Sequence, residues 1–330
     1  MSALTPLLNI DRERYLTYLL LIVGAGILLG FPYIATVYKT HLLTEILIYA
    51  IFALSLNLLM GYTGLASLGH AAFWGGGGYA IAMMMVKGGF INFFLCLGTA
   101  LFVSAMLGFV FGFLALRTSG VYFVMITLAL GQMLWALAWR WNSFLGGSNG
   151  LHGVTRPNFG LPWSLREITH FYYFILVIFA FAVFLIYRIT KSPFGRTLVG
   201  IRENESRMEA LGYHTWRYKY FCFVFAAVFA GLAGALKVYQ DGSINPGCIG
   251  VAISGMVILM VLTGGARNFY GPIVGAAIVW IIRNIVSSYT AYWGATLGII
   301  LVLIVMFSPQ GITPLVITPM VKLRQKLWNR

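Results

Sequence analysis

Charge is what this chain has least of. Only 9% of its 330 residues are Asp, Glu, Lys or Arg, and eight are acidic. A soluble globular domain carries about 25% charged residues, so this composition excludes one. Asp11, Glu13, Glu45, Glu167, Glu203, Glu205, Glu209 and Asp241 are too scattered to form a buried acid/base pair, which leaves carboxylate catalysis without its groups. No G-x-x-x-x-G-K-[ST] loop is present to cradle ATP phosphates. The three cysteines, Cys96, Cys222 and Cys248, show no CxxC or Cys/His spacing, so neither a disulfide framework nor a metal site is expected, and at least two lie in apolar runs as small hydrophobes. No enzyme activity and no cofactor in this chain are expected.

What is abundant is apolar sequence, 60% of the residues. Runs fall near 15–38, 42–60, 64–86, 90–116, 120–141, 171–189, 217–238, 250–264, 270–287 and 291–308. A crossing of the hydrocarbon core needs ~20 apolar residues for ~30 Å, so the reading is an all-α integral membrane protein of about ten transmembrane or re-entrant helices, one transmembrane domain over 1–330. The run at 15–38 lacks a short apolar core followed by a small-residue cleavage site and reads as a retained first span. Residues 64–86 are glycine-rich and 250–264 short, the pattern of broken or re-entrant helices.

The net charge of +14 does not point to nucleic acid, because the cations sit in short gaps between apolar runs and not on one solvated face. They act as topology signals. With the N-terminus inside, the inner gaps collect Arg12, Arg14, Arg117 and the cluster from Arg188 to Lys219, with Arg267 and the C-terminal cations; the outer gaps collect scattered residues such as Lys39, Lys87, Arg140, Lys237 and Arg283. The split is about two to one, placing both termini and a 191–216 loop in the cytoplasm and a 143–170 loop outside. The outer loop, with Gly146-Gly147-Ser148-Asn149-Gly150 and Arg156-Pro157-Asn158, has turn chemistry without helical periodicity; it is either a connector or a docking surface.

The inner loop has helix grammar. Ser192 can cap free amides and Pro193 suits a first helical position. Leu198, Ile201, Met208 and Leu211 then share one helical face, with Arg196, Arg202, Glu203, Arg207 and Glu209 on the rest. Such an amphipathic helix either lies on lipid or seats its apolar face in a partner.

Small residues concentrate in two stretches, Gly61 to Gly78 and Gly264 to Gly275, in corresponding halves, which points to an inverted repeat around a central path. The run Gly75–Gly78 is costly in a helix, about 0.5–1 kcal/mol per glycine, and is read as part of a flexing bend from Gly64 to Gly78. Candidate path residues are Asn57, Gly64, Ser67, His70, Gly76, Gly77, Gln132 and Thr263, since a polar group in hydrocarbon should face the bundle interior. Ser and Thr can instead bond back to their own helix, and His70 can serve exposed carbonyls of the bend.

The segment SPFGRTLVGIRENESRMEALGY, residues 192–213, resembles the coupling loop of the membrane subunits of branched-chain amino-acid (LivM-type) ABC importers. So do, in the same order along most of the chain, Ser55-Leu56-Asn57-Leu58-Leu59 with Gly61-Tyr62-Thr63-Gly64, Ser67-Leu68-Gly69-His70-Ala71-Ala72-Phe73, Gly147-Ser148-Asn149-Gly150, Gly264-Gly265, Gly271-Pro272 and Ser308-Pro309-Gln310-Gly311-Ile312. The resemblance implies an inverted-repeat ABC importer permease fold in a bacterial inner membrane. It implies ATPase coupling through Arg196, Arg202, Glu203, Glu209, Ala210 and Gly212. The partners implied are a LivH-like permease subunit, two ATPase subunits carrying ATP and Mg, and a periplasmic solute-binding protein that holds most of the specificity. Thr263 before the paired glycines and the unbroken Gly75–Gly78 depart from the family pattern and leave the cargo open between branched-chain or other small amino acids and related amides. The alternatives are a gradient-driven carrier or channel, for which Glu45 is the one embedded carboxylate available as a relay, and a structural scaffold.

Overall fold

The computed structural model describes residues 35–157 and 167–289, with positions 26, 28–33, 165, 294, 295, 298, 299, 302, 306, 311 and 312. The first and last apolar runs, Asn158 and the tail beyond Ile312 therefore lie outside the described residues, wholly or for the most part. Six described helices are long and apolar enough to cross a membrane: α1 (Val37–Met60), α3 (Phe93–Ala115), α4 (Val121–Arg140), α5 (Ile168–Lys191), α8 (Thr215–Asp241) and α10 (Gly271–Tyr289). Two shorter apolar helices, α2 (Ala71–Val86) and α9 (Val251–Gly264), occupy the two glycine-rich or short runs. Between α5 and α8 lie α6 (Pro193–Glu203) and α7 (Glu205–Ala210). The chain is a multi-pass membrane protein.

Helices α1 and α8 form the centre and run antiparallel. At one end Glu45 meets Lys237 and His41 meets Gln240; at the other the Cys222 thiol donates to the Leu58 carbonyl. Each central helix is followed by an irregular segment, a short helix and a long one. Helix α8 packs on α2 and α3, α1 packs on α9 and α10, and α1 and α8 pack on each other. This reciprocal packing of two similar units run in opposite directions is an inverted repeat. Helices α3, α4, α5 and α10 leave most of their surface exposed in the single chain, whereas α1 and α8 are largely buried.

Small residues set the central spacing. A Cβ on Gly234 would come within 1.9 Å of the Trp74 carbonyl oxygen, and one on Gly77 within 2.4 Å of the Gly231 carbonyl oxygen. Helices α2 and α8 therefore touch backbone to backbone, which only small residues permit.

Residues 61–70 are a hook that leaves α1 and returns into the bundle. His70, at its far end, is 2.9 Å from the Ser55 hydroxyl. Ser55 is six residues back along α1 from Gly61, about 9 Å at 1.5 Å per residue, so α2 begins inside the bundle. Its first amide, on Ala71, donates to the Ser254 hydroxyl near the start of α9, at 3.0 Å. From that meeting point α9 descends toward the hook, where Ala266 abuts Gly61, while α2 runs toward Lys87, which donates to the Ser143 carbonyl at the opposite end. Two half-length helices thus start within the bundle and diverge, as the short runs predict.

The bend itself differs from expectation. It is confined to residues 61–70, and Gly75–Gly78 sit in the unbroken helix α2. Each of these glycines faces a different neighbour: Gly75 faces Ile249, Gly76 Leu107, Gly77 Gly231, and Gly78 Ile244 and Val238. Tight packing on three sides at once accounts for four consecutive glycines.

The 143–157 segment is ordered. A helical turn (Asn142–Leu145), a 3-10 turn (Gly147–Asn149) and strand β1 (Leu151–His152) follow one another, and β1 pairs antiparallel with β2 (Ser243–Ile244), Leu151 opposite Ile244. This strand end of the molecule carries Lys87, Arg140, Arg156, Lys237 and Arg283. The opposite end carries Arg117, Arg188 and the cations of α6 and α7, so the described cations divide between the ends as the gap count divides them.

Candidate functional site

At the end opposite the strands, Ser192 caps α6 by accepting from the Gly195 amide at 3.4 Å, with Pro193 in the first helical turn. The expected single amphipathic helix is divided. Asn204 is extended (φ −161°, ψ 101°) and its side chain caps α7 by accepting from the Arg207 amide at 2.9 Å. An Asx cap competes with helix continuation, and here it wins. Leu198 and Ile201 are buried and Met208 folds against Gly200, but Leu211 lies beyond the break and is 67% exposed.

Of the residues assigned to coupling, Arg196, Glu203, Glu209, Ala210 and Gly212 are exposed on this end. Glu209 accepts from the Thr215 hydroxyl at 2.8 Å, which holds the end of α7 against the start of α8, and Lys219 pairs with Glu205 across the same junction. Gly212 has φ +88° and open space where a Cβ would stand, so its requirement is backbone conformation alone. Leu211, Tyr213 and Trp216 make an exposed apolar patch beside a cavity of about 410 Å³ lined by Glu209, Gly212 and Arg217.

Arg202 points the other way. Its guanidinium donates to the Gly61 carbonyl oxygen, its stem covers Gly64 (φ +78°), and it pairs with Glu203 at 2.6 Å. Arg202 beside Glu203, by hydrogen bond first and charge second, holds that carboxyl below its ordinary pKa. One side chain therefore joins the exposed helix pair to the hook at the end of α1. Sequence reading named both partners of this contact and not the contact, because 141 residues separate them.

The structure brings together most of the proposed path residues around the hook. His70 is fully buried between Phe52 and Phe73, its Nε2 on Ser55 and its Nδ1 without a partner among the described residues. Asn57 Oδ1, Ser67 Oγ and Thr263 Oγ1 are likewise buried and unpartnered. Asn57 lies against Gly61, and Thr263 ends α9 close to where Ala266 meets Gly61. Gln132 is on α4, next to Gly131, which touches Gly69. Gly76 and Gly77 belong elsewhere, to the contacts of α2 with α3 and α8. Ser55 and Thr127 donate to carbonyls of their own helices, the behaviour expected of Ser and Thr, and Thr63, in the hook, donates to the Leu59 carbonyl of α1.

At the strand end, Glu45 does not stand alone. It accepts from Lys237 at 2.6 Å and from the Trp280 indole at 3.0 Å, and Lys237 also meets Asp241 at 2.7 Å. This network joins α1, α8 and α10. The sequence does not show it, because Glu45, Lys237 and Trp280 are far apart along the chain and Trp280 carries no charge to mark it.

Residues 38–306 match the family described as branched-chain amino acid transport system / permease component. The chain is 29% identical to the high-affinity branched-chain amino acid transport system permease protein LivM of Salmonella typhimurium, over 96% of this chain and 78% of that protein. It is 24% identical to the probable branched-chain amino acid transport permease protein LivM of Methanocaldococcus jannaschii (83% and 93% covered), and 25% identical to the probable LivH of the same organism (80% and 87% covered). No solved structure matches.

Proposed function

Because the chain belongs to the branched-chain amino acid transport permease family, a transport subunit of the membrane, we propose that it is one half of the permease of an ATP-driven ABC importer for branched-chain or other small amino acids. A LivH-like subunit would complete the path, since this chain resembles both LivM and LivH relatives. Two ATPase subunits with their ATP and Mg would bind the α6–α7 end, and a solute-binding protein would dock at the strand end. In this reading the protein sits in a bacterial inner membrane, with the α6–α7 end and both termini cytoplasmic, the orientation favoured by the cation count.

The observation that carries the reading is Arg202. A surface helix pair that only lay on lipid would have no need of a cation reaching back to Gly61 at the foot of the central helix. In an importer that contact converts displacement of α6 and α7, as the ATPases close, into displacement of the 61–70 hook. The hook carries His70 and the origin of α2, so the movement enters the bundle where the two half-helices start. Proton-coupled carriers usually carry an embedded carboxylate as a relay; Glu45, the candidate for that role, is engaged by the Lys237 ammonium and the Trp280 indole.

Cysteine cross-linking tests the proposal. Leu211→Cys in a cysteine-free background should form a cross-link to the ATPase subunit in native membranes, and Ser148→Cys should not. Cross-linking of the ATPase from position 148, or from neither position in an assembled transporter, would refute the assignment.

A further inference from the structure

The strand end holds a cavity of about 430 Å³ between α1, α8, α10 and the 245–248 segment, a size within the ~300–1,000 Å³ of small-molecule sites. Its chemistry is divided. One part is ionic: Glu45, Lys237, Asp241 and Arg283, two charges of each sign. The other is aromatic: Tyr49 and Trp280 stack with centroids 4.0 Å apart, and the Arg283 guanidinium lies 4.4 Å over the Trp280 ring.

We propose that this cavity is a binding station for the zwitterion of an α-amino acid with an apolar side chain. The inference rests on the importer reading above and adds to it a site in the permease itself, so selectivity is not left entirely to a binding protein. Its basis is charge balance. Glu45 and Lys237 are only 16% and 13% exposed at their side chains, so an uncompensated charge beside them is costly. A zwitterion brings none. Its ammonium takes a place beside the Glu45 and Asp241 carboxylates, its carboxylate beside Lys237 and Arg283, and the filled cavity has the same net charge as the empty one. An amine without a carboxylate, or the reverse, leaves one charge in excess. The side chain then meets Tyr49, Trp74, Ile253 and Trp280 where they line the cavity, an apolar surface that accepts any group of fitting size and does not distinguish leucine from isoleucine or valine by hydrogen bonding. Glu45 is also the group that ties the α1–α10 and α1–α8 contacts together through Trp280 and Lys237, so ligand entry competes with the links that close this end.

The test is equilibrium binding of tritiated L-leucine to the purified full-length chain in lipid nanodiscs, with displacement by unlabelled L-leucine, by L-leucinamide, which lacks the carboxylate, and by 4-methylpentanoate, which lacks the ammonium. Saturable binding is expected, with both analogues displacing at least about tenfold less effectively. Glu45→Gln and the more exposed Asp241→Asn should each weaken binding by at least about tenfold; the second variant guards against a Glu45 change that merely impairs folding. Absence of saturable binding, equal displacement by the three compounds, or wild-type affinity in both variants would overturn the inference. ATP-dependent leucine uptake by the assembled transporter, measured alongside, separates the two claims. Uptake without binding sinks the station alone, and uptake that ignores ATP sinks the importer reading.

Discussion

Neighbouring glycines in α2 should respond unequally to the same small change. A Cβ at Gly77 would lie 2.4 Å from the Gly231 carbonyl oxygen and 2.7 Å from its Cα, both backbone atoms of the central helix α8. Non-bonded heavy atoms rest at about 3.5–4.0 Å, so Gly77→Ala forces α2 and α8 apart by about an ångström. Overpacking costs about 1–3 kcal/mol, and the gain in helix propensity returns only about 0.5–1 kcal/mol. A net loss of about 0–2.5 kcal/mol follows, toward the upper end because both clashing atoms are backbone. At Gly76 the Cβ would meet a single methyl, Cδ1 of Leu107, at 2.4 Å, and the next atom is 3.9 Å away. Turning that methyl aside costs about 0.5–1.5 kcal/mol, close to the propensity gain, so Gly76→Ala should be almost neutral. Thermal unfolding of the two variants in detergent, followed by loss of the monodisperse peak in size-exclusion chromatography, measures the difference. The Gly77 variant should melt several degrees below wild type and the Gly76 variant within about a degree or two. Equal destabilisation, or a greater loss at Gly76, would refute the packing account. A Gly76 variant of normal stability that failed to transport would return this run to the path.

Arg202→Met should keep the protein in the membrane and assembled while uncoupling ATP hydrolysis from uptake, because it removes a charged hydrogen bond worth about 1.5–3 kcal/mol between α6 and the hook; wild-type coupling in that variant would sever the proposed link. Gly212→Leu carries a backbone penalty of about 1–2 kcal/mol from its positive φ, with open space where its Cβ would stand, so it should impair uptake and ATPase association while leaving the transmembrane helices intact by protease resistance. Ser148→Cys and Ser206→Cys, both exposed but at opposite ends, should react with an impermeant thiol reagent from outside only at position 148; strong labelling at 206 would invert the topology.

Much of the fold is legible along the chain because its determinants are local. Apolar runs of membrane length mark the helices, and the two deviant runs, one glycine-rich and one short, mark the half-helices α2 and α9. Ser192 and Pro193 announce the start of α6. What escapes is whatever depends on atoms far away in sequence. Gly75–Gly78 read as a bend by propensity, yet the backbone of α8 and Leu107 of α3 surround them and hold a helix. Asn204 divides the coupling segment through one side-chain cap that a hydrophobic face averaged over the segment does not register. Glu45, Lys237 and Trp280 converge only because α1, α8 and α10 meet at one end. Of the candidate path residues, Asn57, Ser67, His70 and Thr263 are buried polar groups near the hook with atoms that find no partner among the described residues. Gly76 and Gly77 instead meet Leu107 and Gly231 of neighbouring helices.

The measurement closest to the central claim is uptake of labelled L-leucine into membrane vesicles containing this chain with its native partners, in the presence of ATP or of a protonophore. The account predicts that depleting ATP abolishes uptake and that collapsing the proton gradient at constant ATP leaves it intact. Uptake that survives ATP depletion and disappears with the protonophore would contradict it.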